Sequence, residues 1–276
     1  MTITAQEVNK LRQMTGAGMM DCKKALVEAD GDFDKAIEFL RKKGQKVSAS
    51  RADRVTSEGI VVTNTSEDGS SAIIIGLVCE TDFVAKNDDF KKLANDILSV
   101  AIRESPSSIE ELKSASFSDI TLGEHITEMV GKIGEKLEIT AFEVLTGERV
   151  VPYIHAGAKL GVLVALAGTN GSEVNEVGKD VAMQIAAMSP IAVDRNEVSE
   201  DVISKEMEIG REQARQEGKP ENILDKIAEG KVNKFLKENT LLNQSFVKNN
   251  KQTIAQYLKE IHDGLTVSAF KRVSIG

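Results

Sequence analysis

The 276-residue sequence has no tryptophan, two tyrosines and nine phenylalanines, so aromatic side chains make up only 4% of it. Proteins that hold single-stranded nucleic acid by stacking need several rings on one surface, and few are on offer here. Cations are outnumbered as well. Lys and Arg total 35 against 43 Asp and Glu, a net charge of −8, and such a balance repels a phosphate backbone. Cys22 and Cys79 are the only cysteines and form no CxxC pair, which suits a reducing compartment and not a disulfide framework. No apolar run approaches the roughly 20 residues of a membrane span, and the polar start carries no signal-peptide core. A cytoplasmic protein without direct nucleic-acid or membrane contact is expected.

Catalytic signatures are missing too. His125, His155 and His262 are far apart and lack metal-ligand spacing. There is no GxxxxGK[ST], GxGxxG or GxSxG. Gly16-Ala17-Gly18 resembles a fragment of a phosphate loop, but it follows a helical pattern where the motif needs a strand, and it reads as a turn between helices. Acidic residues are numerous enough for folding to assemble a carboxylate pair. No catalytic residue, metal ligand or cofactor is expected.

What is present is periodicity. Thr4 and Glu7 are spaced as a capping box ahead of Val8, Leu11 and Met14. A second helix is expected from about Met20 to Ala29, and a third, capped by Asp32, carries Phe33, Ile37 and Leu40 on one stripe. Lys42 to Thr56, with Gly44, Ser48 and Ser50, reads as a polar tether, and its cations Arg41, Lys42, Lys43, Lys46, Arg51 and Arg54 as solvated charge. A hairpin follows, Gly59–Thr65 and Ala72–Cys79 around Glu67-Asp68-Gly69. A loop from Glu80 to Asn87 then leads to a helix with Phe90, Leu93, Ala94, Ile97, Leu98 and Ala101 on its core face. The strand pattern of Ile73–Cys79 returns at Leu160–Leu166, and Phe90, Ala94, Leu98 and Ala101 fall on Val177, Val181, Ile185 and Met188, all 87 residues on. An internal duplication is the favoured reading, against chance agreement of two common periods. Asp201–Gln216 and Asn222–Lys237 are charge-rich helical runs around Gly218-Lys219-Pro220, which predicts an antiparallel helical hairpin. A helix over Lys251–Ile261 and a strand over Leu265–Val273 complete the chain.

Two local features stand out as binding candidates. Phe83 sits in the loop Thr81-Asp82-Phe83-Val84-Ala85-Lys86, and a Phe beside a strand is commonly core. The second copy, however, closes with Gly168-Thr169-Asn170-Gly171, where Asp82 and Phe83 fall on Thr169 and Asn170, so the architecture does not require the ring. An aromatic freed of a packing role, on a strand-to-helix loop, suits a protein-binding anchor. Met19 and Met20 point about 100° apart on a helix, so one small bundle will not bury both. Two exposed soft contacts, or one core and one surface Met, both fit.

At these residues the chain resembles the bacterial elongation factor Ts family. Leu11 to Leu26, including Arg12, Met19-Met20 and Lys23, is similar to that family's N-terminal signature, and Thr81 to Asn87 to its second. Tyr153-Ile154-His155 with Gly161–Val164 resembles a third block, and Glu229-Gly230-Lys231 through Phe246-Val247 a fourth. Lys248 departs from the apolar residue that the family pattern places after Val247. The resemblance implies an α+β fold of five parts. These are a three-helix, ubiquitin-associated-like module with its tether (1–52), two related core subdomains (53–140 and 141–200), an inserted coiled-coil hairpin (201–237) and a C-terminal helical module with a returning strand (238–276).

It also implies a function: nucleotide exchange on elongation factor Tu, bound in its GDP and nucleotide-free states, without covalent chemistry. Thr81, Asp82, Phe83 and Val84 correspond to the segment that dislodges Mg²⁺, with the Phe inserted between helices of the GTPase. Arg12, Met19, Met20 and Lys23, then Ile133, Gly134, His155 and Val247, correspond to further partner contacts. The coiled-coil hairpin and exposed sheet faces would support a homodimer. An adaptor whose three-helix module binds a ubiquitin-like or chaperone partner is the rival reading, and it leaves Asp82-Phe83 without a role.

Overall fold

A computed structural model describes residues 3–276. The chain mixes α and β. Helices α1 (Ala5–Thr15), α2 (Met19–Glu28) and α3 (Phe33–Arg51) come first. The Thr4–Glu7 capping box forms as its spacing predicts, and Asp32 caps α3 through the Lys35 N–H. Val8, Leu11, Cys22, Ala25, Leu26 and Ala36 make their core. Gly16 ends α1 in the left-handed region at φ 67°, which glycine adopts without a Cβ penalty.

One expectation is overturned here. Lys42 to Arg51 is not a tether but the second half of α3, which runs unbroken for 19 residues. The polar composition concealed its packing. Gly44 abuts a later helix, α7 (Leu122–Ile133), and Val47 packs against the core of the next unit. Such tertiary contacts outweigh a weak local propensity.

Strands β1 (Glu58–Thr65) and β2 (Ser71–Cys79) form the expected hairpin, and β5 (Glu138–Thr146) pairs on the other side of β2. Between β2 and β5 lie α4 (Asp82–Ala85), α5 (Asp88–Glu104), α6 (Ile109–Ser114), a small ribbon of β3 (Ser116–Phe117) and β4 (Ile120–Thr121), and α7. A second sheet has β7 (Leu160–Ala167) at its centre, between β6 (Arg149–Ile154) and β10 (Thr266–Ser274). Helix α8 (Asn175–Met188) follows β7.

Side-chain alternation turns these pieces into four layers. Ile75, Leu77 and Cys79 of β2 face α5, while Ala72, Ile74 and Val78 face the second sheet. Val162, Val164 and Leu166 of β7 face α8, while Leu163 and Ala165 meet the first sheet. The order is therefore helix, sheet, sheet, helix, and each central strand is buried on both sides. This double burial explains why β2 and β7 read as almost unbroken apolar runs although their sheets are antiparallel. Helices α5 and α8 begin at Asp88 and Asn175, 87 residues apart, and each ends at a serine with positive φ, Ser105 and Ser189.

Helices α9 (Glu200–Gln216) and α10 (Leu224–Asn239) form the antiparallel hairpin, closely packed where Gly210 meets Ala228. Strands β8 (Ser245–Phe246) and β9 (Asn249–Thr253) then pair, so the last helix, α11, starts only at Ile254 and runs to Ile261. The expected start at Lys251 is too early. Thr253 makes a capping box with Gln256 that sets the boundary.

Candidate partner-binding site

Strand β2 ends at Cys79, and the chain turns at once into the single-turn helix α4. Thr81 caps it, its hydroxyl accepting from the Val84 N–H at 3.4 Å. Ala85 is buried and Val84 packs on the core beneath α5, while Asn87 caps α5 through the Asp89 N–H at 2.8 Å. With Val84 and Ala85 pinned inward, Phe83 is left outside. Its ring is 82% exposed, whereas Phe90, seven residues on, is fully buried. An isolated large apolar side chain is ordinary on a surface; one held out on a one-turn helix whose next two residues pack inward is a poised contact. Beside it, the Asp82 carboxylate accepts from the Lys86 ammonium at 2.6 Å, which holds the Asp82 pKa below its ordinary value.

The loop is anchored from a distant segment. The Glu135 carboxylate accepts the Thr81 hydroxyl at 2.7 Å and the Thr81 and Glu80 N–H groups at 3.0 and 3.1 Å. In return, the Glu80 carboxylate accepts the Lys136 N–H at 2.8 Å and faces Arg51 and Arg54 at 3.5 and 3.4 Å. These bonds bring Ile133 and Gly134, the end of α7, beside Thr81–Val84. Gly134 caps α7 with φ 83° and open space around its Cα.

His155 is exposed on the turn between β6 and β7, where the Tyr153 hydroxyl and its Nδ1 are 2.9 Å apart. That turn reaches the start of β1, as Lys159 pairs with Glu58 at 2.6 Å and Glu58 lies opposite Cys79. His155 thus shares the end of the first sheet from which the Phe83 loop emerges. Arg12, Met19, Met20 and Lys23 form a separate exposed patch on α1 and α2, and the two methionines are 55% and 72% exposed. Both Met side chains are outside, which decides between the two readings of the pair. Val247 is exposed between β8 and β9 and is tied to α8, where the Gln184 carbonyl accepts its N–H at 2.8 Å. No hydrogen bond among the described residues links it to the Phe83 loop. Its neighbour Lys248 reaches Asp180 at 2.6 Å, which gives that charged residue a partner.

The loop after β7 corrects the internal alignment. There the Glu148 carboxylate accepts the Gly168 and Thr169 N–H groups at 2.7 and 3.0 Å, and the Thr169 hydroxyl as well. These donors hold the Glu148 pKa below its ordinary value. Thr169 therefore plays the part of Thr81, one residue later than the constant offset assigns, so Asn170 answers to Asp82 and Gly171 to Phe83. The one-residue shift is confined to the loop, because the strand facing before it and the helix start after it both keep the 87-residue offset. Neither alignment gives the second loop an aromatic.

The model of the family described as Elongation factor TS matches residues 80–276. The chain belongs to the elongation factor Ts family. A protein named elongation factor Ts from Amoebophilus asiaticus is 58% identical over 276 residues and all of both chains. Those from Cytophaga hutchinsonii and Christiangramia forsetii are 57% and 54% identical over 275 residues, 99% of each chain. Among the described residues no helix is long and apolar enough to cross a membrane, and no group of His, Cys, Asp and Glu is arranged to hold a metal.

Sequence reasoning missed Glu80 and Glu135. Each is one carboxylate among many, and their pairing spans 55 residues, of which α6, the ribbon and α7 carried no clear pattern in the chain. Only the family resemblance, which implied contacts at Ile133 and Gly134, pointed to the segment.

Proposed function

We propose that this elongation factor Ts family member is a guanine nucleotide exchange factor for elongation factor Tu in translation elongation. Its Thr81–Val84 loop enters the nucleotide domain of the GTPase, Phe83 wedges between helices there, and the disturbance dislodges the partner's Mg²⁺ and releases GDP. The bound ion carries the largest local charge in such a site, so shifting it weakens the diphosphate's hold. By linkage, GDP must weaken this chain's binding by the same factor. Arg12, Met19, Met20 and Lys23 grip the same domain from α1 and α2, and Ile133, Gly134, His155 and Val247 extend the contact. The five parts at 1–52, 53–140, 141–200, 201–237 and 238–276 divide this work between grip, wedge and spacer. No covalent step is involved.

The observation that carries this reading is the exposure of Phe83 on a loop that is bonded through Thr81 on one side and packed through Val84 and Ala85 on the other. A ring that stabilises nothing in the free chain is free to stabilise a complex. The test uses elongation factor Tu loaded with fluorescent GDP. One molecule of the chain should discharge many of GTPase when excess unlabelled nucleotide is present. Tight binding without accelerated release would make the chain an adaptor and end the exchange reading.

A further inference from the structure

We propose that Glu135 and Glu80 are positioning residues that preset the Phe83 loop for its partner. The proposal deepens the exchange reading and rests on it. A four-residue helix cannot sustain itself, because nucleation costs more than one turn returns. The loop's own cap is weak as well, since the Thr81 hydroxyl reaches the Val84 N–H only at 3.4 Å. Its shape must be imposed from outside.

The imposed geometry is a reciprocal clamp. Glu135 receives three donors from residues 80 and 81, and Glu80 receives the N–H of Lys136, so two strand ends are tied by four bonds. Hydrogen bonds to a charged acceptor are shorter and stronger than neutral ones. Two carboxylates this close would repel, and Arg51 and Arg54 face Glu80, whose side chain is only 13% exposed. Phe83 itself has no packing to fix its direction, being 82% exposed. Where that ring points is set by the backbone, and the backbone is set by the clamp. Because Glu135 directly follows Ile133-Gly134, the same bonds fix the two contact segments relative to each other. Glu148 imposes the same restraint on Gly168 and Thr169, so the device is a way of setting a strand-to-helix loop, here put under an aromatic anchor.

Preorganisation of this kind lowers the ordering cost of binding. Glu135→Ala should therefore cut the rate of GDP release per chain at least tenfold. Glu135→Gln, whose amide oxygen still accepts both N–H groups, should recover it to within about threefold of the native rate. Two readouts separate positioning from mere stability. Deuterium exchange of the free Glu135→Ala chain should quicken at residues 80–84 and stay native at 168–171. In a Phe83→Ala background, Glu135→Ala should cost less than twofold more, since a residue acting through the ring has nothing left to position. Full additivity, or release within twofold of native in Glu135→Ala, overturns the proposal while leaving the exchange reading intact. If Phe83→Ala itself releases GDP normally, the wedge fails, and unchanged exchange at 80–84 in Glu135→Ala would then sink the clamp independently. Should Glu135→Ala not fold, Glu135→Asp, one methylene shorter, takes its place and should show the same quickening at 80–84; native exchange there refutes the clamp.

Discussion

Gly44 of α3 and Gly131 of α7 meet so closely that a methyl group built on Gly131 would lie 2.7 Å from the Gly44 Cα. The crossing is flanked by Arg41–Glu128 at 2.7 Å, and Lys132 of α7 reaches Asp89 at 2.9 Å. Exposed pairs such as these contribute little, so the backbone contact and Val47 carry the docking of α3. A Gly131→Leu side chain has no room there, and overpacking typically costs ~1–3 kcal/mol, more than the ~1 kcal/mol of helix propensity gained over glycine. The melting temperature should fall by several degrees. In the native protein a protease should cut first at Ala52–Ser57, just past α3, and in Gly131→Leu also within Lys42–Arg51. Native melting and an unchanged cleavage map in the variant would refute this account.

The hairpin of α9 and α10 closes on itself. Gly210 sits against Ala228, and its base is fixed by Ala192, Val198, Val232 and Leu236, with the Leu241 and Leu242 N–H groups donating to Ala192 and Val193. Replacing residues 206–230 by a short Gly-Ser turn keeps that base and removes only the projection. The truncated chain should unfold cooperatively and retain at least part of its GDP-release activity. Complete loss of release in a chain with native circular dichroism would place the hairpin in the exchange machinery.

Cys79 lies under the Phe83 loop, its thiol donating to the Thr81 carbonyl at 3.2 Å. Burial, followed by the charges of Glu135 and Glu58, pushes its pKa from near 9.0 up to about 12. The folded state favours the protonated thiol, so this contribution is fully present below pH 9 and is lost as pH rises toward 12. Urea unfolding between pH 8.5 and 11 should show native stability falling more steeply than that of Cys79→Ala, whose own cavity cost does not vary with pH. Parallel curves would show that the thiol does not titrate differently on folding. Slow alkylation of the folded protein at pH 8 should accompany the effect.

How far the sequence carried the fold follows from where its signals are local. The Thr4–Glu7 box, the Asp32 cap and the apolar strand runs of β2 and β7 are written within a few residues, and each was legible. Helix α3 beyond Lys42 was not, because its helicity rests on Gly131, nearly ninety residues away. The same holds for α7 and β5, whose part in the site depends on Glu135 meeting Thr81. Phe83 was legible only by contrast with the second loop. That contrast survived a one-residue error in alignment because neither Asn170 nor Gly171 is aromatic.

Phe83 separates two physical accounts in one variant. A buried core Phe cut to Ala costs ~3–5 kcal/mol of stability, whereas an exposed one should change stability by less than about 0.5 kcal/mol. With its ring 82% outside the fold, Phe83→Ala should melt within a degree or two of the native protein. At an interface the same truncation removes an aromatic anchor, typically 2 kcal/mol or more, and tenfold in affinity corresponds to about 1.4 kcal/mol. GDP release by Phe83→Ala should therefore slow by more than tenfold at equal concentration. Asp82→Ala breaks only the exposed bond to Lys86 and should leave stability unchanged while slowing release less. Asn170→Ala, next to the clamped Thr169 as Asp82 is to Thr81, should leave release at its native rate. If Phe83→Ala melts many degrees lower, the ring is structural; if it releases GDP at the native rate, it is not the wedge.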